Sequence, residues 1–157
     1  MVFFIPRWIP DPGKAIVNLQ APGRILALDL GQKRVGLALS DDLRITAQPY
    51  ATLEPRGTED LLESLRQIAA RENVVLVLIG LPKRLDGSLG PQAEEAKTLA
   101  ALIRERLSLP VRLWDERFST HAAKRALLED NVSRKKRKQV IDQTAAAWIL
   151  QGFLDSL

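Results

Sequence analysis

The hydrophobic pattern of this chain changes period several times after residue 23, and each change marks an element. Residues 25–30 read as a strand, 31–34 as a tight turn opened by Gly31, and 35–39 as the returning strand. A third extended segment falls within 44–53, where Pro49 marks an irregularity or a sheet edge. At Thr58 the period lengthens to that of a helix. Thr58 is expected as the N-cap, with Glu59 and Asp60 in the first turn, where carboxylates favour the free amides and the positive helix end. Leu61, Leu62, Leu65, Ile68 and Ala69 give this helix one apolar face. Residues 74–79, VVLVLI, are apolar without alternation, the pattern of a central strand covered on both faces. Residues 80–90 are expected as a loop. Pro91 then opens a second helix at a position where its missing donor costs little, with Ala96, Leu99, Ala100, Ile103 and Leu107 on the buried side. Residues 111–114 predict another short strand that runs into Asp115 and Glu116. Ser119 or Thr120 can cap a helix that turns Ala122, Ala123, Ala126 and Leu127 inward. Val140, Ile141, Thr144, Ala145, Trp148 and Ile149 predict a final helix through about Phe153.

Three strands, a helix, a strand, a helix, a strand and two helices is the order of an α/β domain. It implies a mixed five-stranded sheet with helices on both faces. The 157 residues suffice for one such domain over 24–157, preceded by an extension over 1–23. Phe3, Phe4, Ile5, Trp8 and Ile9 are many large apolar residues for free chain, so the extension is either disordered or packed on a surface groove or a second subunit. Pro6 and Pro10 interrupt the apolar opening and no cleavage signal follows, so it is not read as a signal peptide. No stretch reaches the length of a membrane span. Cysteine is absent, which excludes disulfides, thiolate nucleophiles and thiolate metal sites and fits a cytoplasmic protein. The net charge of +4 is too small to name a partner by itself. Its distribution says more: Arg134, Lys135, Lys136, Arg137 and Lys138 are consecutive.

Carboxylates at element ends carry the candidate chemistry. Asp29 sits in an apolar strand just before Gly31, where a side chain can emerge at the end of the sheet. A buried, unpaired carboxylate is expensive, so Asp29 requires a cation, a ligand or exposure. Glu116 follows the 111–114 strand, and ends of parallel strands converge at the edge where open α/β sheets place their sites. Adjacent strand residues face opposite ways, so Glu116 is favoured over Asp115. Asp142 is expected one turn into the last helix, between Lys138 and Ala146 at four-residue spacing, with Ala145, Ala146 and Ala147 small enough for close packing beneath it. Each acid has a plainer reading: Asp29 as a turn cap, Glu116 in a surface ion pair, Asp142 paired with Lys138. A single site would need all three because two magnesium ions bring about four positive charges, and a bridging phosphate offsets only part of them. Asp29 would be the shared ligand, with Glu116 and Asp142 on its flanks and manganese as the alternative metal.

Cations near these acids are candidate phosphate contacts. Lys33 and Arg34 lie in the turn after Asp29, Arg117 beside Glu116, and Lys83 and Arg84 in the 80–90 loop. The run Arg134, Lys135, Lys136, Arg137 and Lys138 suits a nucleic-acid backbone or, failing that, a solvated helix approach. GLPKRLDGSLG lacks P-loop spacing, and Ser88 has no histidine partner in reach of its sequence neighbourhood. His121, the one histidine, is read as structural or exposed.

Four ordered segments carry a resemblance: DLGQKRVGLALSD at 29–41, GLPKRLDGS at 80–88, DERFST at 115–120 and KQVIDQTAAAWILQGFL at 138–154. Over about residues 24–155 the chain resembles the pre-16S ribosomal RNA nucleases, also called Holliday-junction-resolvase-like proteins. The resemblance implies an RNase H-like fold and a bacterial cytoplasmic nuclease that processes the 5′ end of small-subunit ribosomal RNA. RNA is then favoured over branched DNA, with ribosomal precursor particles as partners. The family's acids fall on Asp29, Glu116 and Asp142. A four-way DNA junction is the alternative substrate, and two symmetric cuts there would require a homodimer. A noncatalytic nucleic-acid-binding assembly factor and an actin-like phosphotransferase are the other readings. The last needs two lobes and a second phosphate hairpin that this chain is too short to supply.

Overall fold

Ile25, Leu26, Ala27 and Leu28 are all fully buried, so the strand they form has cover on both faces. The computed structural model describes residues 8–9, 22–81, 90–115 and 134–157. Their elements are β1 (Trp8–Ile9), β2 (Arg24–Leu30), β3 (Val35–Ser40), β4 (Ala47–Leu53), α1 (Thr58–Arg71), β5 (Val74–Leu81), α2 (Pro91–Leu107), β6 (Val111–Asp115) and α3 (Arg134–Asp155). Strands β2 to β6 are the five expected of a mixed, RNase H-like sheet. The order across the sheet is β1-β6-β5-β2-β3-β4. Pairing is parallel for β2 with β5 and β5 with β6, and antiparallel for β2 with β3, β3 with β4 and β1 with β6. Pro49 lies on the β4 edge, beside a register shift in which pairing passes from Ala51 to Pro49.

Alternation along each strand feeds two separate cores. Leu26, Leu28, Val35, Leu37, Leu39, Val77, Ile79, Leu81, Val111 and Leu113 face α1 and α2. Ile25, Ala27, Ala38, Leu76, Leu78 and Trp114 face α3, which contributes Ala146, Ala147, Ile149, Leu150, Phe153 and Leu154. The rings of Trp114 and Phe153 meet edge to face, with centroids 5.6 Å apart. At one end of the sheet Gln151 locks α3 to the β3–β4 connection: its side chain donates to the Ile45 carbonyl at 3.1 Å and accepts from the Ala47 amide at 3.0 Å.

Several boundaries differ from the sequence expectation, each for a local reason. Gly57, with φ of 134°, is the N-cap of α1 and Thr58 is its first helical residue. Asp60, in the first turn, accepts the Arg56 amide at 2.9 Å and so ties the helix to the residue before its cap. Gly80 and Leu81 belong to β5 rather than to the following loop, since β6 pairs with both. Helix α3 begins at Arg134, so the basic run lies inside its first turns rather than before it, and Asp142 falls in the third turn, deeper than one turn in. Cations at that end oppose the helix dipole, so the packing of residues 145–154 must hold the helix. Trp8 and Ile9 of the extension add a strand to β6, opposite Trp114 and Leu113, an outcome that the sequence does not separate from groove or subunit packing. The helix expected after Ser119 lies outside the described residues.

Phe153 is 2% exposed and spans the α3 core. Phe153→Ala is expected to lower stability by about 3–5 kcal/mol, read from the urea midpoint. A second prediction concerns acid. The Asp41 carboxylate accepts the Thr46 amide at 2.9 Å and the Ile45 amide at 2.7 Å. These bonds, that of Thr46 foremost, hold its carboxyl below the ordinary range against a weaker opposing effect of burial. A depressed folded-state value means the contribution is fully present above the unfolded value of about 4 and is lost as pH falls through the folded one. The stability gap between the protein and Asp41→Ala should therefore stay constant near neutrality and shrink below about pH 4.

Candidate functional site

Asp29 is the penultimate residue of β2 and, by alternation with Ile25 and Ala27, projects on the α3 face. Its partner on β3 is Gly36. On the other side, Leu28 pairs with Ile79, which brings Gly80 level with Asp29. Neither flanking strand has a side chain there. The carboxylate thus stands in a slot bounded by Thr52, the β4 partner of Gly36, and Trp114, the β6 partner of Gly80. Glycines at such positions let a ligand approach the sheet closely. Sequence reasoning gives weight to Asp29 but not to Gly36 and Gly80. The signal for them lies only in the strand register, which the sequence does not show.

Asp115 falls on the opposite face. Val111 and Leu113 belong to the α1/α2 core and Trp114 to the α3 core, so Asp115 is turned away from the Asp29 side. Glu116, the next residue, lies outside the described residues, as do Lys83, Arg84, Ser88, Arg117 and His121. Asp142 and the run Arg134, Lys135, Lys136, Arg137 and Lys138 are carried by the first half of α3, with their side chains outside the described residues. Among the described residues no three acids or histidines converge on one point.

The turn after Asp29 is tight. The Gly31 amide donates to the Arg34 carbonyl at 2.8 Å. Lys33 is exposed at its tip, whereas Arg34 is mostly buried, with Nε on Glu54 at 2.8 Å. That ion pair ties the turn to the segment entering α1, and a phosphate would have to compete with Glu54 for Arg34. On the α1/α2 face, behind the slot, a cavity of about 840 Å³ opens between this turn and the two helices. Leu30, Val35, Leu61, Leu99 and Leu102 form its apolar lining, and Lys33, Glu54, Glu94 and Glu95 its charged part.

Arg112 is not among the residues singled out from the sequence, though a cation inside the strand VRLWD is a visible anomaly. It alternates with Leu113 onto the α3 face. Burial lowers the proton affinity of its guanidinium, and the charge of Arg104 lowers it further. Arg104 itself donates to the Val111 carbonyl at 3.1 Å and is shifted the same way by burial. Cation density is therefore built into the β6 end of the sheet as well as into its loops.

A family model described as "RuvX: Holliday junction resolvase" matches residues 23–156. Two curated relatives, from Clostridium kluyveri and Clostridium botulinum, both carry the name "Putative pre-16S rRNA nuclease". They are 46% and 45% identical over 134 residues, covering 85% of this chain and 98% of each relative. The Thermus thermophilus RuvC structure aligns with a TM-score of 0.49 and 11% identity over 80% of this chain and 92% of that one.

A Cβ at Gly31 would lie 2.8 Å from the Arg34 carbonyl oxygen, a backbone atom that cannot move aside without opening the turn. Gly31→Ala is expected to cost about 1–3 kcal/mol in a denaturation experiment, although residue 31 has an ordinary backbone angle.

Proposed function

The chain belongs to the RuvX family (Holliday junction resolvase), and from that premise we propose that it is a nuclease hydrolysing phosphodiester bonds in the 5′-end processing of pre-16S ribosomal RNA. The observation that carries the RNA assignment is the 45–46% identity to relatives named for that substrate, over nearly their full length. Such a nuclease would work in the cytoplasm on ribosomal precursor particles. No described helix is long and apolar enough to cross a membrane.

Asp29, Glu116 and Asp142 are the residues that would hold the metal. Three observations support that reading. The first is the place of Asp29 near the end of β2 between Gly36 and Gly80, which put no side chain beside it. The second is the facing of β6, in which Asp115 turns away from the Asp29 side and leaves that role to its neighbour in the sequence. The third is the run of α3. Gln151 anchors it at the end of the sheet where β3 passes into β4, opposite the Asp29 end. Asp142 lies about 13 Å back along the helix, at 1.5 Å per residue. Strand β2 covers a similar distance, about 13 Å, between Ile25 and Asp29. Carboxylate oxygens are the ligand type that hard divalent cations take. Magnesium or manganese, when bound, would supply Lewis acidity at the phosphate and an activated water.

The chain's own part is positioning. Asp29 would sit centrally on the rigid sheet, with Glu116 and Asp142 approaching from a strand end and a helix. Lys33, Lys83, Arg84, Arg117 and the cations at 134–138 would hold the phosphate backbone on either side. Arg34 would contribute through the turn it braces with Glu54. A four-way DNA junction is the second reading, favoured by the description of the matching family model. It would require two copies of the chain acting symmetrically.

The test compares magnesium-dependent cleavage of precursor ribosomal RNA and of a four-way DNA junction by the protein and by Asp29→Asn, Glu116→Gln and Asp142→Asn. Each substitution is expected to reduce RNA cleavage about 100-fold or more while RNA binding persists. Products should carry 5′-phosphate and 3′-hydroxyl ends. A 2′,3′-cyclic phosphate would refute hydrolysis by activated water, and paired junction cuts with intact RNA would move the assignment to resolvase. The combined Arg134→Ala, Lys135→Ala and Lys136→Ala variant should bind RNA more weakly. Its log–log salt slope should fall by about 0.7 for each phosphate that the variant no longer neutralises.

A further inference from the structure

Apart from the extension, β6 is the outer strand on its side of the sheet, with β5 inside it. The Val77 amide donates to the Pro110 carbonyl at 3.0 Å, and Val77 pairs with Val111. Backbone groups alternate from there. Those of Pro110, Arg112 and Trp114 point at β5, while those of Val111, Leu113 and Asp115 point outward. An outward row of amides and carbonyls on a strand of buried apolar side chains is an invitation to any extended chain. Here Ile9 stands level with Leu113 and Trp8 with Trp114, running antiparallel.

Two features of the occupant match this edge. Its strand pair WI is apolar and β-favouring, and it is bracketed by Pro6 and Pro10. A proline has no amide to give, and prolines beside a short added strand keep that strand from recruiting further chains on its own outer side. The occupant also lies outside the part of the chain that defines the family. The family model begins at residue 23, and the relatives complete 98% of their own length within 134 matched residues.

We propose that the outer edge of β6 is a strand-acceptor site for a short apolar segment, and that residues around Trp8 and Ile9 are its built-in ligand. The extension fills in cis an edge that leads directly into Asp115 and Glu116, and so closes that end of the sheet to strands of other molecules. Backbone pairing alone supports this role, whatever the chain cleaves.

Residue-resolved amide exchange by nuclear magnetic resonance on the full chain tests it. Leu113 depends on the extension for its hydrogen bond, whereas Trp114 depends on β5, so Trp114 is an internal control for an intact domain. In the unaltered protein both amides should be protected, and the Hα protons of Trp8 and Trp114 should show a direct Overhauser contact, as a non-hydrogen-bonded antiparallel pair requires. Ile9→Pro should speed Leu113 exchange at least about tenfold and leave Trp114 unchanged. A synthetic peptide of residues 3–12, added in millimolar excess to Ile9→Pro, should slow Leu113 again. A missing Trp8–Trp114 signal in the unaltered protein would overturn the proposal without recourse to any variant. So would equal Leu113 rates in the protein and Ile9→Pro, or a peptide that leaves Leu113 fast.

Discussion

Burial of the sheet on both faces is the constraint from which the rest of this structure follows. The buried apolar residues of the central strands divide between two cores, and a shift of one position would exchange them. A carboxylate in such a strand is tolerable only where the cover ends. Asp29 meets that condition twice over. It stands one residue from the end of β2, and the strands on both sides present glycine at its level. The chemistry of the site and the packing of the fold are thus set by the same register.

The elements around this end are held by links that reach across the sequence rather than along it. Arg34 reaches Glu54 from the turn beside Asp29. Arg106 on α2 forms a two-pronged pair with Glu59 at the start of α1, and this pair draws the Glu59 carboxyl below its ordinary range. The Arg106–Glu59 pair is exposed, so its value lies more in setting how the end of α2 lies against the start of α1 than in raw stability. The cavity between the turn and the two helices lies on the α1/α2 face, away from the side onto which Asp29 projects.

Much of the fold is legible in the sequence because buried strands and amphipathic helices leave strong periodic marks. The continuous run at 74–79 declares a central strand, and the spacing of Leu61, Leu65 and Ile68 declares a helix. Boundaries are less legible because they depend on partners. Gly80 reads as a loop residue until β6 is seen to pair with it. Lys135 and Lys136 read as a solvated approach to α3, since neither the dipole nor the charge favours starting a helix there. The extension is the least legible part, because two residues carry no periodicity and edge pairing is chosen by what the edge leaves open. Of the candidate site, Asp29 is readable as a polar residue in an apolar run. The glycine slot is not, because it is written across three strands.

The Gln151 clasp has a consequence for the order of events during synthesis. Its side chain joins α3 to Ala47, 104 residues earlier in the chain. Until that late helix emerges from the ribosome, Ile25, Ala27, Ala38, Leu76 and Leu78 lack the cover that α3 gives them, however well β2, β3 and β5 have paired. Once β5 is made the nascent chain therefore carries a half-covered sheet until α3 follows, and that helix acts as the closing step of folding. A stop codon or a stalled ribosome between β5 and residue 145 would release a sheet without α3 on one side, a substrate for chaperones and proteases rather than a weakened nuclease.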